Sequence, residues 1–209
     1  ILTVVSDIRV RPLWPQQQGA KPMYLSPGNR KMSLPTWSLP ACRTCPGSTA
    51  MCRKTCYARK AERQYPQVLP CRIRNLKDTR RPSFVSDMVS AIRRSGASYV
   101  RLHESGDFYD QRYLAKWFAI AAALPEVHFL SFTKSFKLDF SDCPSNLVIM
   151  WSVYPDTRMS DVPRKGSRAY AGHCRTRSRK LLECPGNCDS CMACWGIDAL
   201  CVDVHFGIH

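Results

Sequence analysis

An α/β protein built on a short parallel sheet is the fold class this sequence predicts, from three observations. Short apolar runs of strand length occur at 98–103, 127–132 and 147–153. Helical apolar periodicity precedes the first run and separates the first from the second. Each run is followed at once by a polar or aromatic segment. Strand, helix, strand in succession means parallel pairing through a right-handed crossover, with ligands gathered at the carboxyl ends of the strands.

The elements follow in order within a single domain of 209 residues. Residues 1–40 hold six of the fifteen prolines and the run Gln16-Gln17-Gln18-Gly19, and they read as an irregular lead-in. Residues 41–71 form a first cysteine-rich loop, turned by Pro46-Gly47. The βα core spans 82–155. Phe84, Val85, Met88, Val89 and Ile92 make a helical stripe that Gly96 ends. The strand Ser98–His103 runs into the turn Glu104-Ser105-Gly106-Asp107, and Asp110 caps a helix carrying Leu114, Trp117 and Phe118 as core. Two further strands lie at Val127–Phe132 and Leu147–Val153, the latter a continuous apolar run suited to burial on both faces. Residues 170–209 form a C-terminal cysteine-rich cluster segment, reached through a basic, irregular stretch.

Twelve cysteines dominate the chemistry. Ile1 to Val5 is too short an apolar run for a signal peptide or a membrane span, so a cytoplasmic protein with no membrane contact is expected. In a reducing compartment, clustered thiols point to metal rather than to disulfides. Cys45-x6-Cys52-x3-Cys56 supplies three thiolates, with Cys42 available as a fourth. The C-terminal run is Cys184-x3-Cys188-x2-Cys191-x2-Cys194, with Cys174 upstream as an alternative to Cys184. Its repeated Cys-x2-Cys steps resemble ferredoxin loops, which favours one or two [4Fe-4S] clusters; zinc is the alternative. Cys71, Cys143 and Cys201 are isolated and read as small core residues.

The net charge of +15 adds a possible partner: nucleic acid, held through phosphates by a basic surface. No protein partner can be named from the sequence.

Several blocks resemble the phage gene product 88 family. They are Gly28-Asn29-Arg30-Lys31-Met32, Ser38-Leu39-Pro40-Ala41, Thr44-Cys45-Pro46-Gly47, Cys52, Cys56-Tyr57-Ala58, Ser105-Gly106-Asp107-Phe108 and Thr133-Lys134-Ser135. Cys188, Cys191, Cys194-Trp195 and His209 complete the set, in order along nearly the whole chain. Cys42 stands where the family is expected to have a small residue, and Cys174 fits its pattern better than Cys184.

The resemblance implies a protein of the cytoplasm of an infected bacterium, with a partial βα barrel similar to the radical S-adenosylmethionine enzymes. Cys45, Cys52 and Cys56 would then hold a cluster with one open iron. Ser105, Gly106, Asp107 and Lys134 are the matching candidates for cofactor binding, and S-adenosylmethionine the implied cofactor. No catalytic residue is assigned. The usual Cys-x3-Cys-x2-Cys spacing is absent, and the family implies no settled reaction.

Other candidates have plainer readings. Glu104 and His103 could serve acid–base chemistry or a capping turn, and His205 and His209 could be ligands or simply exposed. The function expected is therefore iron–sulfur binding, with S-adenosylmethionine-dependent radical or redox chemistry if it is an enzyme. The alternative is a non-enzymatic nucleic-acid-binding or host-takeover protein in which metal staples the loops.

Overall fold

A computed structural model describes residues 23–172, 174, 181–196 and 203–207. Its elements are β1 (Thr36–Trp37), α1 (Ala50–Lys54), α2 (Tyr57–Gln64), α3 (Val68–Asp78), α4 (Phe84–Ser95), β2 (Tyr99–Leu102) and α5 (Gln111–Ala122). They are followed by β3 (His128–Thr133), β4 (Leu147–Val153), β5 (Arg168–Ala171), β6 (Leu181–Glu183), α6 (Cys188–Cys191) and β7 (Asp203–Phe206). The seven strands form one sheet in the order β1-β2-β3-β4-β5-β7-β6, and every pairing is parallel. No described helix is long and apolar enough to cross a membrane.

The elements of the predicted core form for the expected reasons. Gly96 ends α4 in a left-handed conformation, φ 64°. The Asp110 side chain caps α5 by accepting from the Tyr113 amide at 2.7 Å. The apolar stripes of α4 (Phe84, Met88, Ile92) and α5 (Tyr113, Leu114, Trp117) bury completely or nearly so against one sheet face, with Val100, Leu102, Phe129 and Ile149. Phe118 packs at the edge of this layer. A polar thread crosses it. His103 Nε2 lies 3.0 Å from the Tyr113 hydroxyl, which accepts from Trp37 Nε1 at 3.2 Å.

The opposite face carries Leu130, Val148, Met150, Ala169 and Val204, covered by Trp195, Met32 and the segment bearing Cys184, Cys188 and Cys194. The second cysteine group therefore roofs a sheet face.

Three expectations require correction. The lead-in holds a strand, β1, whose two residues are too few to show an alternation. The 41–71 region contains α1, α2 and the start of α3 rather than one loop. Its short helices bury little: α1 buries no residue and α2 only Ala58, so no apolar stripe marks them. After residue 155 the chain supplies β5, β6 and β7 instead of irregular structure. Residues 1–22 of the lead-in, with Cys201 and His209, lie outside the described residues.

One side chain joins the end of α5 to the start of β4. Asn146 Nδ2 lies 2.9–3.0 Å from the carbonyls of Ala121, Leu124 and Val127. Removing it leaves acceptors without their donor, and Asn146→Ala is expected to lower stability by about 1–3 kcal/mol. The exposed Lys77→Ala should change it by less than about 0.5 kcal/mol, both read from denaturant midpoints.

Candidate functional site

A cavity of about 580 Å³ opens at the carboxyl edge of the sheet. Residues at the ends of β2, β3, β4 and β5 line it on one side, and the cysteine-bearing segment after β1 lines it on the other. Two glycines let these walls meet. Gly106 has φ +82°, and a Cβ there would come within 2.6 Å of Leu39 Cβ and 2.7 Å of Thr44 Oγ1. A Cβ on Gly47 would collide with the main-chain carbonyl of Lys134. Ser105 completes the seam. Its hydroxyl donates to the Leu39 carbonyl at 2.8 Å, and its own carbonyl accepts from the Leu39 amide at 2.8 Å.

The candidate cofactor residues all lie on this cavity. Asp107 is buried, and its carboxylate is fully engaged. Oδ1 accepts from the Thr133 hydroxyl (2.6 Å) and the Phe108 amide (2.7 Å), and Oδ2 from the Lys134 amide (2.8 Å). Burial pushes its acidity toward the neutral form, against these donors. Lys134 Nζ donates to Ser152 Oγ at 2.8 Å and stands 4.4 Å from the centre of the Tyr154 ring, within reach of Cys52. This lysine is half-buried in the wall.

His103 is held neutral. Burial, then the nearby Arg101 charge, lowers its pKa to about 3, so it serves the core thread rather than proton transfer. Glu104 accepts from Asn29 Nδ2 at 2.6 Å, and its carbonyl receives the Tyr57 hydroxyl.

Cys45, Cys52 and Cys56 line the cavity; Cys42 does not. Thr49 caps α1 by accepting from the Cys52 amide at 3.1 Å, and Cys56 is the residue that begins α2. Local helix geometry thus sets two of the thiols. Burial, then the charge of Asp107, pushes Cys45 up to about 12. Burial also raises Cys52, opposed by Lys134. Cys42 is raised by burial and by its neighbour Cys56, whose thiol it meets.

The C-terminal thiols form a second group. Burial pushes Cys194 up to about 12, Arg101 opposes this, and Cys184, Cys188 and Cys191 all act on it. The group is pinned to the residues before β1. Ser33 donates to Asp189 from its amide and its hydroxyl, both at 2.8 Å, and the Cys188 amide donates to the Lys31 carbonyl at 2.8 Å. Cys174 lies apart from this group. Its Sγ is 3.5 Å from the Val153 carbonyl, and its charged neighbours are Asp156 and Lys134. His205 bonds to Glu183 and to the Gly172 carbonyl. Cys71 and Cys143 are half-buried, and Cys143 packs against the core on the α4–α5 face.

Sequence reasoning missed Arg101. It projects from β2 on the face away from the helices, 4.0 Å from the centre of the Phe132 ring, and lines the cavity. Tyr57, Cys188, Cys194 and Glu104 are its electrostatic partners, so it stands between the cavity and the second thiol group. A charged residue alternating with Val100 and Leu102 in an otherwise apolar strand is the signal that could have found it.

Among the described residues, no three His, Cys, Asp or Glu side chains are grouped so that they could hold a metal ion. The donors that act on one another in each group are nevertheless mostly sulfur, joined by the carboxylates of Asp107 and Asp189, and thiolates suit iron–sulfur clusters or zinc.

A family model described as Gene product 88 matches residues 14–196. The Gene 88 protein of Mycobacterium phage L5 is 31% identical over 133 residues, 54% of this chain and 53% of that protein. The Gene 88 protein of Mycobacterium phage D29 is 28% identical over 103 residues, 44% of this chain and 42% of that protein. The matches therefore span about half the length of these curated relatives. No solved structure matches. With the family model covering most of its length and two phage proteins similar to it, the chain belongs to the gene product 88 family of bacteriophage proteins.

Proposed function

We propose that this chain is an iron–sulfur protein in which Cys45, Cys52 and Cys56 hold a [4Fe-4S] cluster facing the cavity, with S-adenosylmethionine as the cavity's ligand. One observation carries the reading. Three of the four N-terminal thiols share a single cavity at the carboxyl edge of a parallel sheet with Ser105, Gly106, Asp107 and Lys134. Parallel sheets bind ligands at that edge. On this reading the sheet is a partial barrel of the radical S-adenosylmethionine type.

The thiol donors suit a cluster or a zinc ion, and the repeated Cys-x2-Cys steps of the second group favour the cluster. A zinc ion needs its thiolates within about 2.3 Å of one point, whereas a cluster interposes its own iron and sulfide atoms between them. Burial raises Cys45 and Cys52, only Cys52 having Lys134 to oppose it, and a bound cluster would stabilise the ionised forms of both. When bound and reduced, such a cluster supplies a single electron for cleavage of a sulfonium carbon–sulfur bond.

The chain's own residues do the rest. Lys134 and Arg101 offer the cavity two cations suited to a carboxylate, and Phe132, Phe206 and Tyr154 exclude water from its walls. Asp107 orients the β3 end that carries Lys134. The C-terminal group, Cys184, Cys188, Cys191 and Cys194, would close a second cluster with four protein ligands.

Anaerobically purified protein is expected to be brown and to contain iron and acid-labile sulfide in similar amounts. Stoichiometric zinc without sulfide would refute the cluster.

Cys45→Ala should leave a soluble protein that has lost one cluster. Cys191→Ala should instead damage folding, because its group covers a sheet face. Circular dichroism and iron analysis of both variants check this, and an identical outcome for the two would contradict the division of roles.

Adding S-adenosylmethionine to the reduced protein should alter the electron paramagnetic resonance spectrum of the N-terminal cluster. An unchanged spectrum with no cofactor cleavage would remove the enzyme reading.

A further inference from the structure

We infer that the outer side of α1 and α2 is a docking ridge for single-stranded nucleic acid. A depression of about 130 Å³ opens beside the cysteine loop, and its lining is Arg53, Lys54, Cys56, Arg59, Lys60 and Arg63. Five of these six side chains are cations. Arg53 donates to the Ser48 carbonyl and hydroxyl at 2.9 and 3.1 Å, whereas the other four make no hydrogen bond or ion pair among the described residues. The acidic groups nearby are engaged elsewhere. Glu62 binds Arg72 at 3.1 Å and the Ala41 amide at 2.7 Å on the far side of α2. Asp156 accepts from the Met51 amide at 2.8 Å and touches the ridge electrostatically only at Arg53.

Helical spacing gathers these charges. Cys56, Arg59, Lys60 and Arg63 fall at intervals of three and four on one side of α2, where like charges repel one another. An anion seated among them relieves that repulsion, and the net charge of +15 draws polyanions to the protein over longer range.

Two features select unpaired nucleic acid as the polyanion. Tyr65, 47% exposed at the end of α2, offers a face on which an unpaired base stacks, and Tyr57, 59% exposed with its hydroxyl on the Glu104 carbonyl, stands where the ridge meets the cavity. The exposed positions of α2 are Tyr57, Arg59, Lys60, Arg63 and Gln64, none of them aliphatic, and the exposed Met51 of α1 lines the large cavity rather than the depression, which leaves little apolar surface to enter a lipid layer. Cys56 lines both the depression and the large cavity, so a strand on the ridge passes the cavity mouth. The inference stands without a cluster.

The test is fluorescence anisotropy of the full chain with a labelled single strand of about 12 nucleotides. R59E/K60E/R63E should weaken binding more than about tenfold and reduce the slope of log K against log salt by about 2. R112E/R164E/K165E changes the net charge equally at exposed positions lining neither cavity, and it should weaken binding far less. Y65A should weaken it about tenfold while leaving circular dichroism unchanged. Equal losses from the two triple variants would overturn the ridge. So would anionic vesicles or duplex DNA bound as tightly as the single strand, or no binding at low salt. Iron content is read in parallel: a colourless protein that binds in this way refutes the cluster and leaves the ridge intact.

Discussion

Both oxygens of the buried Asp107 carboxylate are bonded to groups that fix the junction of two strand ends. Through Thr133 and the Lys134 amide it ties the turn after β2 to the end of β3. Through the neighbouring Ser105 that same turn is bonded to Leu39, at the entrance to the cysteine loop. The Pro46-Gly47 turn then lies against the Lys134 main chain, closing the circuit. Three segments distant in sequence are thereby held as one wall. That carboxylate is the link between the two strand ends, and it matters the more because the helices of the cysteine segment contribute little apolar burial.

Arg101 joins the cavity to the second thiol group in a different way. It forms no ion pair with a carboxylate among the described residues, and its guanidinium rests on the Phe132 ring. Burial of such a charge is costly unless nearby anions offset it. Ionisation of Cys188 and Cys194 would provide that compensation from one side, and an anionic ligand in the cavity from the other. Arg101 is thus the side chain that faces both the cavity and the charges of Cys188 and Cys194.

The sequence made some of this readable and hid the rest for identifiable reasons. The run Leu147–Val153 is apolar along its length because both of its faces are covered, and its bounds could be read directly. The stripe of α4 and the caps Gly96 and Asp110 were equally plain, since each is a local signal. The rule that ligands gather at strand ends led from those strands to Ser105, Gly106, Asp107 and Lys134. The helices α1 and α2 were hidden because cations and cysteines occupy the positions where a core stripe would show. Strands β5, β6 and β7 have three or four residues each, and β6 is largely exposed, so neither length nor alternation marks them. Spacing also could not separate Cys174 from Cys184. Three-dimensional pairing does so: the Cys184 amide bonds to the His205 carbonyl of β7, whereas Cys174 lies against β4.

The order β5-β7-β6 places β7 between two strands that precede it in sequence. Leu181–Glu183 pairs with β7 alone, so it has no sheet to join until Asp203–Phe206 has been made and inserted. The four thiols from Cys184 to Cys194 lie in the connection between these two strands. β6 and the thiol-bearing connection therefore depend on β7: loss of the β5–β7 pairing would free β6 from the sheet and leave the roof held by its bonds to Ser33 and Lys31 and by the packing of Trp195.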